Sequence, residues 1–186
     1  MLILFANCLR RPDVLIKKID TKDFDMIFDL MEKSFPPEEY RTYNGQKALL
    51  DDPAYTIYAL YSDTENITAF IAVWEFDDFA FIEHFAVAPE HRNKGVGTYI
   101  MNGVIDMLGK MACLEVEPPD TEICKRRIAF YERNNFYLND YPYIQPRLRE
   151  DMEPVPLYIM TSGGRVDECT FDRIREALYT KVYKCV

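Results

Sequence analysis

The sequence predicts an α/β fold of the α+β kind: a mixed, mostly antiparallel central sheet, helices on both faces, and one further helix at the C-terminal end. Three observations point there. Three β-type runs follow one another in the first half; two helix-period segments flank a short apolar run in the second; an amphipathic segment comes last.

Val14 to Ile19 reads as a short strand. Asp20-Thr21-Lys22-Asp23 offers a cap for a helix whose apolar residues Phe24, Ile27, Phe28 and Met31 recur at helical spacing, and Pro36-Pro37 stops it. Phe35 to Asn44 reads as a loop rich in tyrosine and charge, followed by a weaker helix around Gln46 to Leu50 that ends before Pro53. Tyr55 to Tyr61 and Ile67 to Phe76 are strand runs separated by the polar Ser62-Asp63-Thr64-Glu65-Asn66. A third run, Phe79 to Val87, follows Asp77-Asp78, and the three make an antiparallel meander.

Pro89 ends the meander. Beyond a glycine-containing turn, Thr98 to Leu108 carries Ile100, Met101, Val104, Ile105 and Leu108 on one helical stripe, closed by Gly109. Ala112 to Val116 is a short buried strand, broken by Pro118-Pro119. Thr121 to Asn134 is a helix with Ile123, Ile128, Phe130 and Tyr131 among its apolar positions, and Asn135 suits a left-handed cap. A loop holding Tyr141, Pro142 and Tyr143 leads to a last strand, Val155 to Met160. After Gly163-Gly164, a helix from about Phe171 to Tyr183 has the stripe Phe171, Ile174, Leu178 and Val182, with Arg173 and Arg175 outside it. That stripe suits packing on the chain's own sheet, or a homodimer contact. The whole of residues 1–186 reads as one domain.

An apolar fraction of 48% and a charged fraction of 28% are those of an ordinary globular protein. With 31 acidic against 22 basic residues the net charge is −9, which argues against a nucleic-acid partner and suits either simple solubility or a cationic partner. Met1 to Ala6 is too short an apolar run to cross a bilayer, and Arg10 and Arg11 follow it instead of preceding it, so no membrane partner and a cytoplasmic location are expected. The five cysteines, Cys8, Cys113, Cys124, Cys169 and Cys185, are scattered and contain no CxxC pair, which supports neither a disulfide framework nor a metal site.

The segment Val87-Ala88-Pro89-Glu90-His91-Arg92-Asn93-Lys94-Gly95-Val96-Gly97-Thr98 lies between a strand and a helix. Unpaired backbone N–H groups and the positive end of the helix dipole make such a place a phosphate site. A side chain at Gly95 or Gly97 would hold the backbone off a diphosphate and resist positive φ, and Arg92 and Lys94 add positive charge. Neither the P-loop ending GK[ST] nor G-x-G-x-x-G is present. R-x-x-G-x-G alone is equally compatible with a helix start that contains two glycines.

Phe85-Ala86-Val87-Ala88-Pro89 followed by Arg92 to Gly97 resembles motif A of the GNAT superfamily of N-acetyltransferases: a strand, V-x-P, [RQ]-x-x-G-x-[GA], a helix. Ala129-Phe130-Tyr131-Glu132-Arg133-Asn134-Asn135-Phe136 resembles the family's second signature, with Asn135 in place of its glycine. The resemblance covers about residues 14–161 and leaves 162–186 as a C-terminal helical extension. It implies acetyl-CoA as co-substrate, no metal, and a primary amine attacking directly in a ternary complex. It further implies that the backbone from Arg92 through Asn93, Lys94, Gly95, Val96 and Gly97 to Thr98 holds the pyrophosphate, and that the pantetheine arm pairs with Phe85, Ala86 and Val87. An N–H of Phe85 or Val87 would then face the thioester carbonyl as oxyanion donor. Cys124 stands where the family commonly places an asparagine that touches pantetheine, and Tyr131 resembles the general acid.

A protonated amine must lose a proton before it attacks. Glu83 interrupts the apolar strand Phe79-Ala80-Phe81-Ile82-Glu83-His84-Phe85. Regular alternation puts it on the face of Phe81, Phe85 and Val87 and turns His84 the other way, unless a bulge swaps them. A carboxyl among aromatics has a raised pKa, which suits a base. The alternatives are that Glu83 pairs with an arginine, that His84 or Glu75 is the base, and that Tyr131 is a core aromatic. In this family the early helix–loop region and the loop before the last strand choose the acceptor. They supply Phe35, Glu38, Glu39, Tyr40, Tyr43, Tyr141 and Tyr143, a set that suits a small cationic amine. A CoA-binding module without catalysis, an enzyme for protein or peptide amines, and one using a longer acyl-CoA are the competing readings.

Overall fold

The structure, a computed structural model, describes residues 15–61, 66–148 and 153–184. Val14, the Met1 to Ala6 run, Arg10, Arg11, Cys8, Cys185 and the Ser62 to Glu65 separator lie outside the described residues.

Seven strands form one sheet: β1 Leu15–Lys18, β2 Tyr55–Tyr61, β3 Ile67–Glu75, β4 Phe79–Val87, β5 Met111–Val116, β6 Phe136–Gln145 and β7 Val155–Ser162. Their order is β1-β2-β3-β4-β5-β7-β6, antiparallel throughout except for the parallel pair β4 and β5. The helices are α1 Phe24–Ser34, α2 Tyr43–Ala48, α3 Val96–Leu108, α4 Glu122–Arg133 and α5 Glu168–Ala177. The mixed, mostly antiparallel sheet with helices on both faces is the expected architecture. Phe24, Ile27, Phe28 and Met31 of α1 and Phe171 and Ile174 of α5 share one buried cluster with Tyr55, Phe70, Trp74 and Phe81. Ile100, Met101 and Val104 of α3 and Ile128 and Tyr131 of α4 fill the other face, against Leu60, Ile71, Ile82 and Leu114.

Several local expectations are corrected. The segment Asp20 to Asp23 makes no side-chain cap; Asp23 is buried and accepts the Tyr61 hydroxyl at 2.9 Å. The loop from Phe35 to Asn44 contains a 3₁₀ turn, Pro37–Glu39. The helix expected at Gln46 begins earlier, at Tyr43, because Thr42 caps it by accepting the Gly45 N–H at 3.3 Å. The segment with Tyr141, Pro142 and Tyr143 is not a loop but the middle of β6. Proline is tolerated there because β6 is the sheet's outer strand and its pairing with β7 shifts register between Asn139 and Tyr143.

The C-terminal stripe is core. After α5 a π-helical turn, Leu178–Val182, follows, and Phe171, Ile174, Leu178 and Val182 are 0–3% exposed. Each such side chain contributes about 1.5–3 kcal/mol by leaving water, so this extension is bound firmly to the sheet.

No helix among the described residues is long and apolar enough to cross a membrane. Among them Cys113, Cys124 and Cys169 are free thiols, and no group of three potential metal ligands is placed to hold an ion.

Candidate active site

The site originates in a parting of strands. β4 and β5 are paired only from Phe79–Met111 to Ile82–Leu114; beyond that β4 runs on to Val87 and β5 to Val116 without bonding each other. A cavity of about 770 Å³ opens in this parting, a size ordinary for a small-molecule site. It runs from the Arg92 to Thr98 turn, between the strands, to Ser34 to Glu39 on one side and Gln145 to Leu148 on the other.

Backbone direction decides what β4 offers. The Ala88 N–H bonds Thr68 O of the β3 edge at 2.8 Å, so alternation turns Ala86 toward β3 and turns the backbone groups of Phe85 and Val87 into the parting. Arg92 Nε donates to Val87 O at 2.9 Å and ties the turn to the strand. Gly95 sits at φ +76° and Asn93 at φ +60°, and the first amides of α3, Val96 to Thr98, precede the first intrahelical bond, which Tyr99 makes to Gly95 at 3.0 Å. Gly97 is helical, which corrects its expected positive φ. Its lack of a side chain serves packing instead: a Cβ would lie 3.3 Å from both Phe85 and Phe130, whose stacked rings are 5.7 Å apart.

A bulge in β4 revises the reading of Glu83. Ala72 faces His84 while Val73 faces Ile82, so Glu83 is an extra residue with no partner on β3. Glu83 stays on the face of Phe81, but His84 now shares it, and Phe85 and Val87 are thrown to the opposite face. Glu83 accepts from Arg41 Nη1 at 2.6 Å and from Trp74 Nε1 at 3.1 Å. Burial alone would raise its pKa, yet the Arg41 charge overcomes burial and holds it at about 2. The raised pKa argued for Glu83 is therefore corrected, and its arginine-paired alternative is the one observed. His84 Nε2 donates to the Glu39 carbonyl at 2.9 Å; its buried Nδ1 has no hydrogen-bond partner.

A carboxylate of the opposite character lies across the parting on β5. Glu115 accepts Tyr183 OH at 2.6 Å and Gln145 Nε2 at 2.8 Å on Oε2, and Tyr143 OH on Oε1. Burial pushes its pKa up to about 7; the three donors oppose that, and the negative charge of Glu83 adds to it. The signal was present in the sequence, since Glu115 interrupts an apolar strand as Glu83 does, but its donors come from β6 and the C-terminal end.

Tyr131, on α4, lines the same cavity beside Phe130. Burial raises its pKa to about 12, with Arg127 opposing, so the phenol is protonated at neutral pH. Of the other expected residues, Phe35, Ala86, Arg92, Asn93, Gly95, Gly97 and Thr98 line the cavity. Lys94 and Val96 belong to the turn but not to the cavity wall. Cys124 is also off the wall, buried in the first turn of α4, where its sulfur takes the Thr121 hydroxyl at 3.0 Å. Two acceptor-site expectations, Tyr40 and Tyr141, and the alternative base Glu75 are corrected. Tyr40 is buried against Phe28. Tyr141 packs on Phe171 and donates to Val166 O. Glu75 pairs with Ala80, at the end of β4 away from the cavity, and accepts Tyr58 OH.

A mixed sheet that parts between its two parallel strands, above a left-handed turn and a helix amino end, defines a GNAT-type α/β protein. The family described as acetyltransferase (GNAT) matches residues 24–136. A GNAT-family protein from Bacteroides thetaiotaomicron is 34% identical, with TM-score 0.86 over 92% of this chain and 99% of that one. YjbC of Bacillus subtilis, named as an acetyltransferase, is 27% identical over 59% of this chain; the match spans about half, 55%, of its own length. Spermidine N-acetyltransferase from Vibrio cholerae, in a crystal structure with CoA and spermine, shares the fold at 16% identity, with TM-score 0.60 over 80% of this chain and 94% of that one. The chain belongs to the GNAT acetyltransferase family.

Proposed function

We propose that this protein transfers an acetyl group from acetyl-CoA to a primary amine held beside it, with Glu115 accepting the amine's proton and Tyr131 supplying one to the departing thiolate. The observation that carries this reading is the pair of groups lining one cavity: a carboxyl whose pKa lies near 7 and a phenol that stays protonated.

Acetyl-CoA supplies an activated acyl group as a thioester. The residues present fit it. The turn from Arg92 to Thr98 offers left-handed backbone at Asn93 and Gly95 and the first amides of α3 to a diphosphate. The backbone of Phe85 and Val87 offers a strand edge to an extended arm, and the Phe85 and Phe130 rings wall it. The bulge at Glu83 is what turns the Phe85 and Val87 side chains to this face. A base with pKa near 7 is about half ionised at neutral pH, so it can take a proton and release it again. Glu83, ionised and paired at about 2, is too weak a base for that task and serves to hold Arg41 and the bulge.

The acceptor end carries an excess of carboxylates, which favours a cation. Glu38, Glu39, Glu115, Glu117 and Glu153 line the cavity with Arg127 and Arg147 among them, and Phe35 adds an aromatic wall. A small cationic amine satisfies these groups by ion pairing and cation–π contact. Incubation with acetyl-CoA and a panel comprising spermidine, free lysine and an alanine-terminated peptide, read by thiol release and product mass, tests both levels. We expect acetylated polyamine. Turnover of the peptide alone would contradict the electrostatic argument for the acceptor. Thermal stabilisation by acetyl-CoA with no acylated product from any amine, including the peptide, would contradict catalysis and leave a CoA-binding module.

A further inference from the structure

The region that matches the family ends at residue 136, yet two of the groups that bond the Glu115 carboxylate lie on β6 beyond it and a third lies at the C-terminal end. We infer that Tyr183, carried by the C-terminal π-helical turn, is a positioning residue of the active site, orienting the Glu115 carboxylate so that one oxygen site remains for the substrate's proton. This inference rests on Glu115 being the base.

The hydrogen-bond inventory supports it. An ionised carboxylate has about four acceptor sites, two on each oxygen. Gln145 Nε2 and Tyr183 OH occupy Oε2, and Tyr143 OH occupies one site of Oε1. Among the described residues, one site on Oε1 is left. A proton leaving the ammonium, directly or through one water, goes there, the N–H pair staying on nitrogen for attack and the carboxylate becoming a neutral acid. Direction is fixed as well. Gln145 Nε2 also donates to Tyr183 OH at 2.8 Å, so both amide protons are committed, and the phenol proton points toward Glu115.

Tyr183 is itself held in place. Its N–H bonds Leu178 O at 2.9 Å, the five-residue spacing of the π turn, which keeps Val182 in the core while the next side chain reaches the parting. Arg41 Nη2 donates to Val182 O at 3.1 Å while its Nη1 holds Glu83. One arginine thus fastens the C-terminal turn to the β4 bulge. Among the described residues, the titratable and charged groups around Glu115 are Glu83 from β4, Tyr143 from β6, Tyr183, and Cys113 from its own strand.

The test uses Tyr183→Phe in the full-length protein. Carboxyl carbon NMR of selectively labelled glutamate reads the Glu115 titration without any acceptor, and steady-state kinetics with acetyl-CoA and spermidine reads turnover. Removing a donor from the ionised form disfavours it, so the Glu115 midpoint should move upward and the acidic limb of kcat should move with it. At neutral pH kcat should fall about tenfold with KM for acetyl-CoA unchanged. Should Tyr183→Phe not fold, Gln145→Met removes the bridging amide and should shift both readouts the same way. A wild-type midpoint and wild-type kcat in a folded variant would overturn the inference. Glu115→Gln separates the two levels: if it turns over normally the base assignment fails, and if it is inactive while Tyr183→Phe is normal only the role of Tyr183 fails.

Discussion

Glu83 and Glu115 stand on adjacent strands, both part-buried, both interrupting apolar runs, and they end at opposite extremes of acidity. Glu83 faces a guanidinium and an indole N–H, and its carboxyl is held at about 2. Among the described residues Glu115 meets only neutral donors, two phenols and an amide, and stays near 7. Burial penalises the ionised form in both cases. A full positive charge outweighs that penalty, and neutral hydrogen bonds only reduce it. In the proposed mechanism a carboxylate in this cleft serves as base or as structural ion according to whether a cation reaches it.

The contrast breaks most visibly in the chemistry. Glu115→Gln keeps shape and two of its contacts but removes the proton acceptor, and should lower kcat by about 10² to 10⁴, measured by thiol release. Glu83→Gln should leave the acidic limb of the rate profile in place, because its carboxylate takes no proton from the amine. Equal losses of kcat and of the limb in both variants would erase the distinction. The next effect falls on stability. Arg41→Met strands the Glu83 charge and frees the C-terminal turn, and should destabilise by about 3–5 kcal/mol in urea titration.

The same pair gives opposite slopes of stability against pH. Glu83 has a folded pKa below the ordinary 4.5, so its contribution is present above that value and is lost as pH falls toward 2. Glu115 has a folded pKa above 4.5, so its cost is absent below 4.5, grows as pH rises from 4.5 to about 7, and is constant above that. Arg41→Met should flatten the first slope and Glu115→Gln the second.

The meander, α3 and α4 were legible because their patterns are local: alternation in β2 to β4, and the stripes of Ile100, Met101 and Val104 and of Ile128 and Tyr131. The Arg92 to Thr98 turn was legible for a similar reason, since a left-handed glycine and a helix start are properties of a few consecutive residues. β6 was not, because Asn139, Asp140 and Pro142 erase the alternation that an edge strand does not need to keep. Neither was the balance between the two glutamates. Arg41 lies 42 residues from Glu83, and Tyr143, Gln145 and Tyr183 lie 28, 30 and 68 residues from Glu115. The bulge at Glu83, which reverses Phe85 and Val87, has no local mark beyond one glutamate in an apolar run.

The pH dependence of kcat with saturating acetyl-CoA and amine bears most directly on the assignment of Glu115. A rise through an apparent pKa near 7 to a plateau, absent in Glu115→Gln and retained in Glu83→Gln, is what a base on β5 requires. A profile in which the rise survives Glu115→Gln and vanishes in Glu83→Gln would contradict it.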